Sequence, residues 1–246
     1  MSSPWLIPFK PSPQATLRLF CFPYAGGSAA VYRRWSEKLP PSVELYAVEL
    51  PGRGRRFGEP LFKRMNFMIP ALSEALSSSL EIPFVFFGHS MGALIAFELT
   101  RYLRKEKSVL PELLFISGCG APQNLIPPGK PLYQLRDDLF LKEVERLKGT
   151  PPEVLKHTEL IQLFLPLIRA DLEMMETYAY QEEDPLKIPI CALGGKQDPE
   201  VSQKSLEDWA LQTESGFASH FFSGDHFFIR SAEDEVLRVL GQVLGK

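Results

Sequence analysis

The stretch Phe84-Val85-Phe86-Phe87-Gly88-His89-Ser90-Met91-Gly92 constrains this chain more than any other. Its short apolar run reads as a buried strand. Behind it, Met91, Leu94, Ile95, Leu99, Tyr102 and Leu103 fall on one helical stripe, while Arg101, Arg104 and Lys105 lie elsewhere and suit the negative end of a helix dipole. A strand that passes into a helix through Gly-x-Ser-x-Gly makes a turn so tight that its serine is held in a strained conformation, and the flanking glycines leave room for it. The hydroxyl of Ser90 then stands clear above a sheet.

Further apolar runs bounded by turn signals are predicted strands: Leu17 to Phe22, Val43 to Leu50, Leu113 to Ser117, Ile188 to Leu193 and Ser219 to Phe222. Helical patterns alternate with most of them, at Val31 to Leu39, Phe67 to Leu80, Met91 to Lys105 and Gln203 to Gln212, and Glu233 to Leu244 closes the chain. Alternation of this kind implies an α/β fold, with a mostly parallel central sheet covered by helices on both faces. The 246 residues, 45% of them hydrophobic, suit one domain over 1–246. About 65 residues separate the strand ending near Gly118 from the next, several times the usual connection, so 121–185 reads as an inserted helical lid subdomain. Within it, Ile161, Phe164, Leu165, Ile168, Leu172 and Met175 make one apolar stripe, and Leu160, Leu163, Leu167 and Met174 a second. Two greasy sides fit a lid that roofs an acyl channel, and fit equally a helix buried between neighbours.

A net charge of −3 argues against a nucleic-acid binder, which needs a clustered positive surface. No run approaches the roughly 18 apolar residues of a membrane span, and the proline-rich start, Met1 to Gln14, lacks the pattern of a signal peptide. Cys21, Cys119 and Cys191 are odd in number, lie in or beside apolar runs and lack zinc-site spacing. They read as buried thiols in a cytoplasmic protein that uses no metal and no cofactor. A monomer is the default expectation.

A serine hydroxyl needs a base, and the α/β-hydrolase fold supplies its triad in the chain order Ser, Asp, His. Of four histidines, His89 sits inside the elbow and is expected to point away from the nucleophile's side, His157 lies in the insertion, and His220 lies in the last strand. His226, just after that strand, can reach across to Ser90. Asp198, in the loop after the preceding strand, is expected to orient its ring. Asp225 is the rival, but an acid adjacent in sequence rarely bends back to Nδ1. The oxyanion of a tetrahedral intermediate would be held by the N–H of Met91, at the helix start, and by the N–H of Ala25, in the glycine-rich loop Phe22 to Ser28. Ser28 is expected to cap the following helix.

With these residues in hand, the chain resembles the type II thioesterases that accompany nonribosomal peptide and polyketide synthases, and the medium-chain thioesterases of fatty-acid synthesis. The resemblance rests on Cys21-Phe22-Pro23-Tyr24-Ala25-Gly26-Gly27-Ser28, Leu50-Pro51-Gly52-Arg53-Gly54, Gly88-His89-Ser90-Met91-Gly92, Gly194-Gly195-Lys196-Gln197-Asp198 and Gly224-Asp225-His226-Phe227-Phe228. Gly-x-Ser-x-Gly alone is shared with lipases and esterases; the combination is what discriminates. Tyr24 stands where many members carry histidine, which bears on the pocket mouth. The resemblance implies hydrolysis of acyl thioesters on the phosphopantetheine arm of a carrier protein, often to clear stalled or misprimed units. Arg53, Arg55 and Arg56 are candidates for touching a phosphate or an acidic carrier surface, against the plainer reading of solvated loop arginines.

Three other readings compete. A carboxylesterase or lipase would use the same triad on oxygen esters. A release domain that cyclises its product would normally be fused to a carrier module, and no carrier motif precedes this one. A non-catalytic acyl- or partner-binding protein of this fold would not need Ser90, Asp198 and His226 together.

Overall fold

A computed structural model describes residues 3–125, 129–150 and 157–245. Seven strands form one sheet: β1 (Leu6–Phe9), β2 (Leu17–Phe22), β3 (Val43–Val48), β4 (Phe84–His89), β5 (Leu113–Ser117), β6 (Ile190–Gly195) and β7 (Phe217–Phe222). Their order is β1-β3-β2-β4-β5-β6-β7, all parallel except β1, which runs antiparallel to β3. The first strand was not expected from its proline-rich sequence. Pro8 is tolerated there because β1 is an edge strand, where a missing donor breaks no central ladder.

Period-two alternation distributes the sheet between two cores. Phe20, Phe22, Phe84 and Phe86 pack with α1 (Met65–Leu76) and α2 (Met91–Lys107) on one face. Leu19, Cys21, Val85 and Phe87 pack on the other, beneath the 3-10 segment Ala29–Glu37 and the C-terminal helix Glu233–Leu244. The expected helix at Val31 to Leu39 is this 3-10 segment. Ser28 does not cap it through its side chain; the Ala29 N–H donates to Glu49 Oε2 at 2.7 Å instead. The expected helix at Gln203 to Gln212 is likewise split, into a short α-helix, Gln203–Glu207, and a 3-10 turn, Asp208–Gln212.

Between β5 and β6 lie α3 (Asp137–Leu147) and α4 (Thr158–Glu176), within the span expected as an insertion. Residues 126–128 and 151–156 of that span lie outside the described residues. Phe140 and Val144 of α3 pack on Ile168 and Leu172 of α4 in a small core of their own. The two greasy sides of α4 have different fates. Ile161, Ile168 and Leu172 of the first stripe are buried; on the second, Leu167 and Met174 are buried while Leu160 and Leu163 stay exposed.

The strand order reverses between β2 and β4, so the loops leaving their carboxyl ends diverge and open a crevice at the switch point. Those loops carry Ala25 and Ser90.

Candidate active site

Ser90 joins β4 to α2 with φ +54 and ψ −118, a region that costs a non-glycine residue about 1–3 kcal/mol. Close packing forces it. A Cβ on Gly88 would meet the Gly92 carbonyl oxygen at 2.1 Å, and a Cβ on Gly92 would meet the Phe22 carbonyl oxygen at 2.0 Å. The Ser90 N–H donates to the Ser117 carbonyl at 2.8 Å, fixing the elbow to β5.

Asp198 follows β6 and His226 follows β7, and the structure brings them together: His226 Nδ1 lies 2.8 Å from Asp198 Oδ2. With the carboxylate as acceptor, the ring proton sits on Nδ1 and leaves Nε2 to accept a proton. The carboxylate is itself fixed, since Oδ1 accepts the N–H groups of Glu200 at 2.8 Å and Val201 at 3.3 Å. Asp225 is excluded as the partner. Its Oδ1 accepts the Phe227 N–H at 3.0 Å and its Oδ2 pairs with Lys148. The Phe227 N–H, followed by Lys148, holds the Asp225 carboxyl below its usual range.

Ser90, Ala25 and His226 line one cavity of about 360 Å³. Met91 begins α2, and neither its N–H nor that of Ala25 donates to another group among the described residues. Leu132, Val144, Ile168, Leu172 and Met175, from α3, α4 and the turn before them, give the cavity an apolar wall. Cys119 also lines it, with burial pushing its thiol up to about 12; all three cysteines are free and buried.

Other expectations need correcting. His89 does not turn away from the site: its ring centroid lies 5.3 Å from that of His226, and Nδ1 shares a hydrogen bond of 2.9 Å with Ser117 Oγ. Complete burial, aided by the charge of a protonated His226, holds His89 well below its ordinary pKa. Two of the three candidate phosphate-binding arginines are unavailable. Arg53 is buried against Asp171, and Arg56 is buried between Glu59 and the ring of Trp5, leaving Arg55 exposed. Tyr24 lines the cavity. Its hydroxyl accepts from Arg230, which also donates to the Gly149 carbonyl at 3.0 Å and so ties Tyr24 to the end of α3.

A thioesterase domain model matches residues 17–244. This chain belongs to the thioesterase domain family. It is therefore a hydrolase of thioesters with the α/β-hydrolase fold. Among its relatives is linear gramicidin dehydrogenase LgrE of Brevibacillus parabrevis, 43% identical, with the match covering 98% of this chain and 93% of LgrE. The gramicidin S biosynthesis protein GrsT of Aneurinibacillus migulanus is 40% identical over 96% of this chain and 92% of its own. Among solved structures, the type II thioesterase BorB from the borrelidin biosynthetic cluster superposes with a TM-score of 0.85 at 31% identity, covering 97% of this chain and 95% of BorB. The dehydrogenase in the name of LgrE has no counterpart in the first glycine loop of this thioesterase, Tyr24-Ala25-Gly26-Gly27-Ser28, which lacks the G-x-G-x-x-G of a dinucleotide site.

Proposed function

We propose that this thioesterase is an external, type II enzyme that clears acyl groups from the phosphopantetheine arm of carrier proteins in nonribosomal peptide or polyketide synthesis. The observation that carries the chemistry is the 2.8 Å contact between His226 and Asp198 on the same cavity as the strained Ser90.

Ser90 Oγ attacks the thioester carbonyl carbon as His226 Nε2 takes the hydroxyl proton. The N–H groups of Met91 and Ala25 receive the resulting oxyanion, and Asp198 stabilises the imidazolium without taking its proton. Collapse breaks the carbon–sulfur bond, the departing pantetheine sulfur takes the proton from His226, and the acyl group stays on Ser90. A thiol, with an ordinary pKa near 8.5, leaves more readily than an alkoxide, so little is asked of that proton transfer. Water, deprotonated by His226, then attacks the acyl-enzyme and releases the carboxylic acid and free Ser90.

The insertion acts in this reading as a lid whose α3 and α4 side chains hold the acyl chain. The three free, buried thiols fit the reducing setting of a cytoplasmic protein.

A serine-directed fluorophosphonate should label the wild type and not Ser90→Ala, and Asp198→Asn should lower kcat by about 10⁴-fold through the wrong histidine tautomer. Full turnover of acyl-pantetheine by either variant would sink the triad assignment.

A further inference from the structure

The two oxyanion donors are held in unlike ways. Met91 belongs to the elbow, which β4, β5 and α2 fix together with the end of β2. Ala25 lies in a turn from Tyr24 to Gly27, closed by the Gly27 N–H donating to the Tyr24 carbonyl at 2.8 Å, with Gly26 at φ +76. A turn on a glycine pivot has soft dihedrals, and this one is gripped from outside. The Gly26 N–H donates to Asp171 Oδ2 at 2.7 Å, and the Gly27 carbonyl accepts from Arg53 Nη1 at 3.0 Å. Arg53 and Asp171 also join in a two-pronged pair at 2.9 and 2.8 Å, each side chain only 3% exposed. Asp171 comes from α4 and Arg53 from the segment after β3, 118 residues apart in sequence.

Of the N–H groups of Ala25, Gly26 and Gly27, two are therefore spoken for, and that of Ala25 donates to nothing among the described residues. We propose that Asp171 and Arg53 are positioning residues for the oxyanion hole: by gripping both sides of the Gly26–Gly27 peptide they lock the turn so that the Ala25 N–H faces the reacting carbonyl oxygen. The proposal rests on Ser90 as nucleophile.

Charge explains why two residues are needed. A lone carboxylate bonded to Gly26 would repel an oxyanion forming one residue away, in a site where screening is weak. The guanidinium of Arg53 cancels that field and adds its own grip on Gly27. Lid helix α4 is thereby part of the catalytic scaffold. Dislodging it would disarm the hole as well as expose the acyl chain.

The test compares kcat and KM for an acyl-carrier substrate with the affinities of two acyl ligands. An alkyl boronic acid forms a tetrahedral anion on Ser90, and an amide analogue of the acyl-pantetheine mimics the ground state. Asp171→Ala should lower kcat and boronate affinity together by about tenfold to a hundredfold, up to the lower end of the roughly 10²–10³-fold that outright loss of one oxyanion donor costs, with KM and amide affinity within twofold. Asp171→Asn keeps an acceptor for Gly26 and should restore kcat to within about fivefold, less than the loss of a donor costs. Where Asp171→Ala does not fold, the double variant Arg53→Met with Asp171→Leu removes both charges together, a replacement that buried pairs tolerate. It should show the same separation of boronate from amide. Retained kcat and boronate affinity in a folded Asp171→Ala or double variant overturns the proposal, and so does a parallel loss of both ligands. Ser90→Ala separates the two levels of failure. If it is inactive while Asp171→Ala is unimpaired, the positioning role alone falls; if Ser90→Ala still turns over, the nucleophile reading falls with it.

Discussion

The segment between β5 and β6 is fastened to the sheet in two contrasting ways. On the α4 side, beside the open Arg64–Glu173 pair, there are buried links: Arg53 meets Asp171 out of solvent, and Met174 joins the core beneath α2. On the α3 side they are exposed: Arg146 reaches Glu200 at 2.8 Å and Lys148 reaches Asp225 at 3.3 Å, with the basic side chains at least half open to water. Exposed pairs contribute about 0–1 kcal/mol and are screened by salt, whereas removing one member of a buried pair strands a charge in a weakly screening interior. Helix α4 has buried links to the sheet body; α3 reaches that body through exposed ion pairs and is otherwise seated on α4 through Phe140 and Val144. Both line the same cavity, so it has one wall tied directly to the sheet body and one that rests largely on the first.

Substitutions on the two sides sharpen that contrast. The largest effect belongs to the contact of α2 with the sheet: Gly92→Ala forces a Cβ to 2.0 Å from the Phe22 carbonyl oxygen and should yield no soluble folded protein, whereas Gly149→Ala, beside α3, meets a movable Phe227 ring at 3.1 Å and should fold. Expression with circular dichroism reads both. Next comes Arg53→Met, which leaves Asp171 charged and buried and should lower the free energy of unfolding in urea by about 3–5 kcal/mol. An effect no larger than that of an α3 substitution would erase the distinction between the two sides.

The acid limb separates them again. Because His89 has its folded pKa depressed, the unfolded chain takes up a proton below about pH 6.5 that the folded chain refuses. Stability from this group is therefore full above pH 6.5 and falls as the pH drops toward the folded value, by at most about 1.4 kcal/mol per pH unit. The Asp225 carboxyl, held below its usual range, keeps its charge through that window and the Lys148 pair persists. Melting temperatures of wild type and His89→Gln between pH 5 and 7 should show the slope shrinking in the variant. The smallest effect is expected for Glu200→Gln: less than about 1 kcal/mol of stability, vanishing in high salt.

Most of the frame, and the residues that meet at the candidate site, were legible in the sequence because their signals are local. A glycine-flanked serine between an apolar run and an amphipathic helix specifies the elbow, and chain order with loop position picks out Asp198 and His226. Strand β1 was missed because nothing in Leu6-Ile7-Pro8-Phe9 marks a strand; pairing with β3 makes it one. His89 was misread because the crowding of loops above the sheet, which packs His226 and Phe228 against it, is a tertiary fact. The Arg53–Asp171 pair spans a long sequence separation, yet one signal for it exists. Asp171 lies three residues after Ile168 and four before Met175, on the apolar stripe of α4. A carboxylate on a buried stripe requires a cation or several donors, and a loop arginine flanked by glycines was the candidate to ask about.

The most direct test of the whole account is the rate at which acyl groups are cleared from a phosphopantetheinylated carrier protein, set against the same acyl groups on a simple oxygen ester, for wild type and Ser90→Ala. The account expects faster clearance from the carrier, abolished in the variant; preference for the ester, or clearance that survives without the Ser90 hydroxyl, would contradict it.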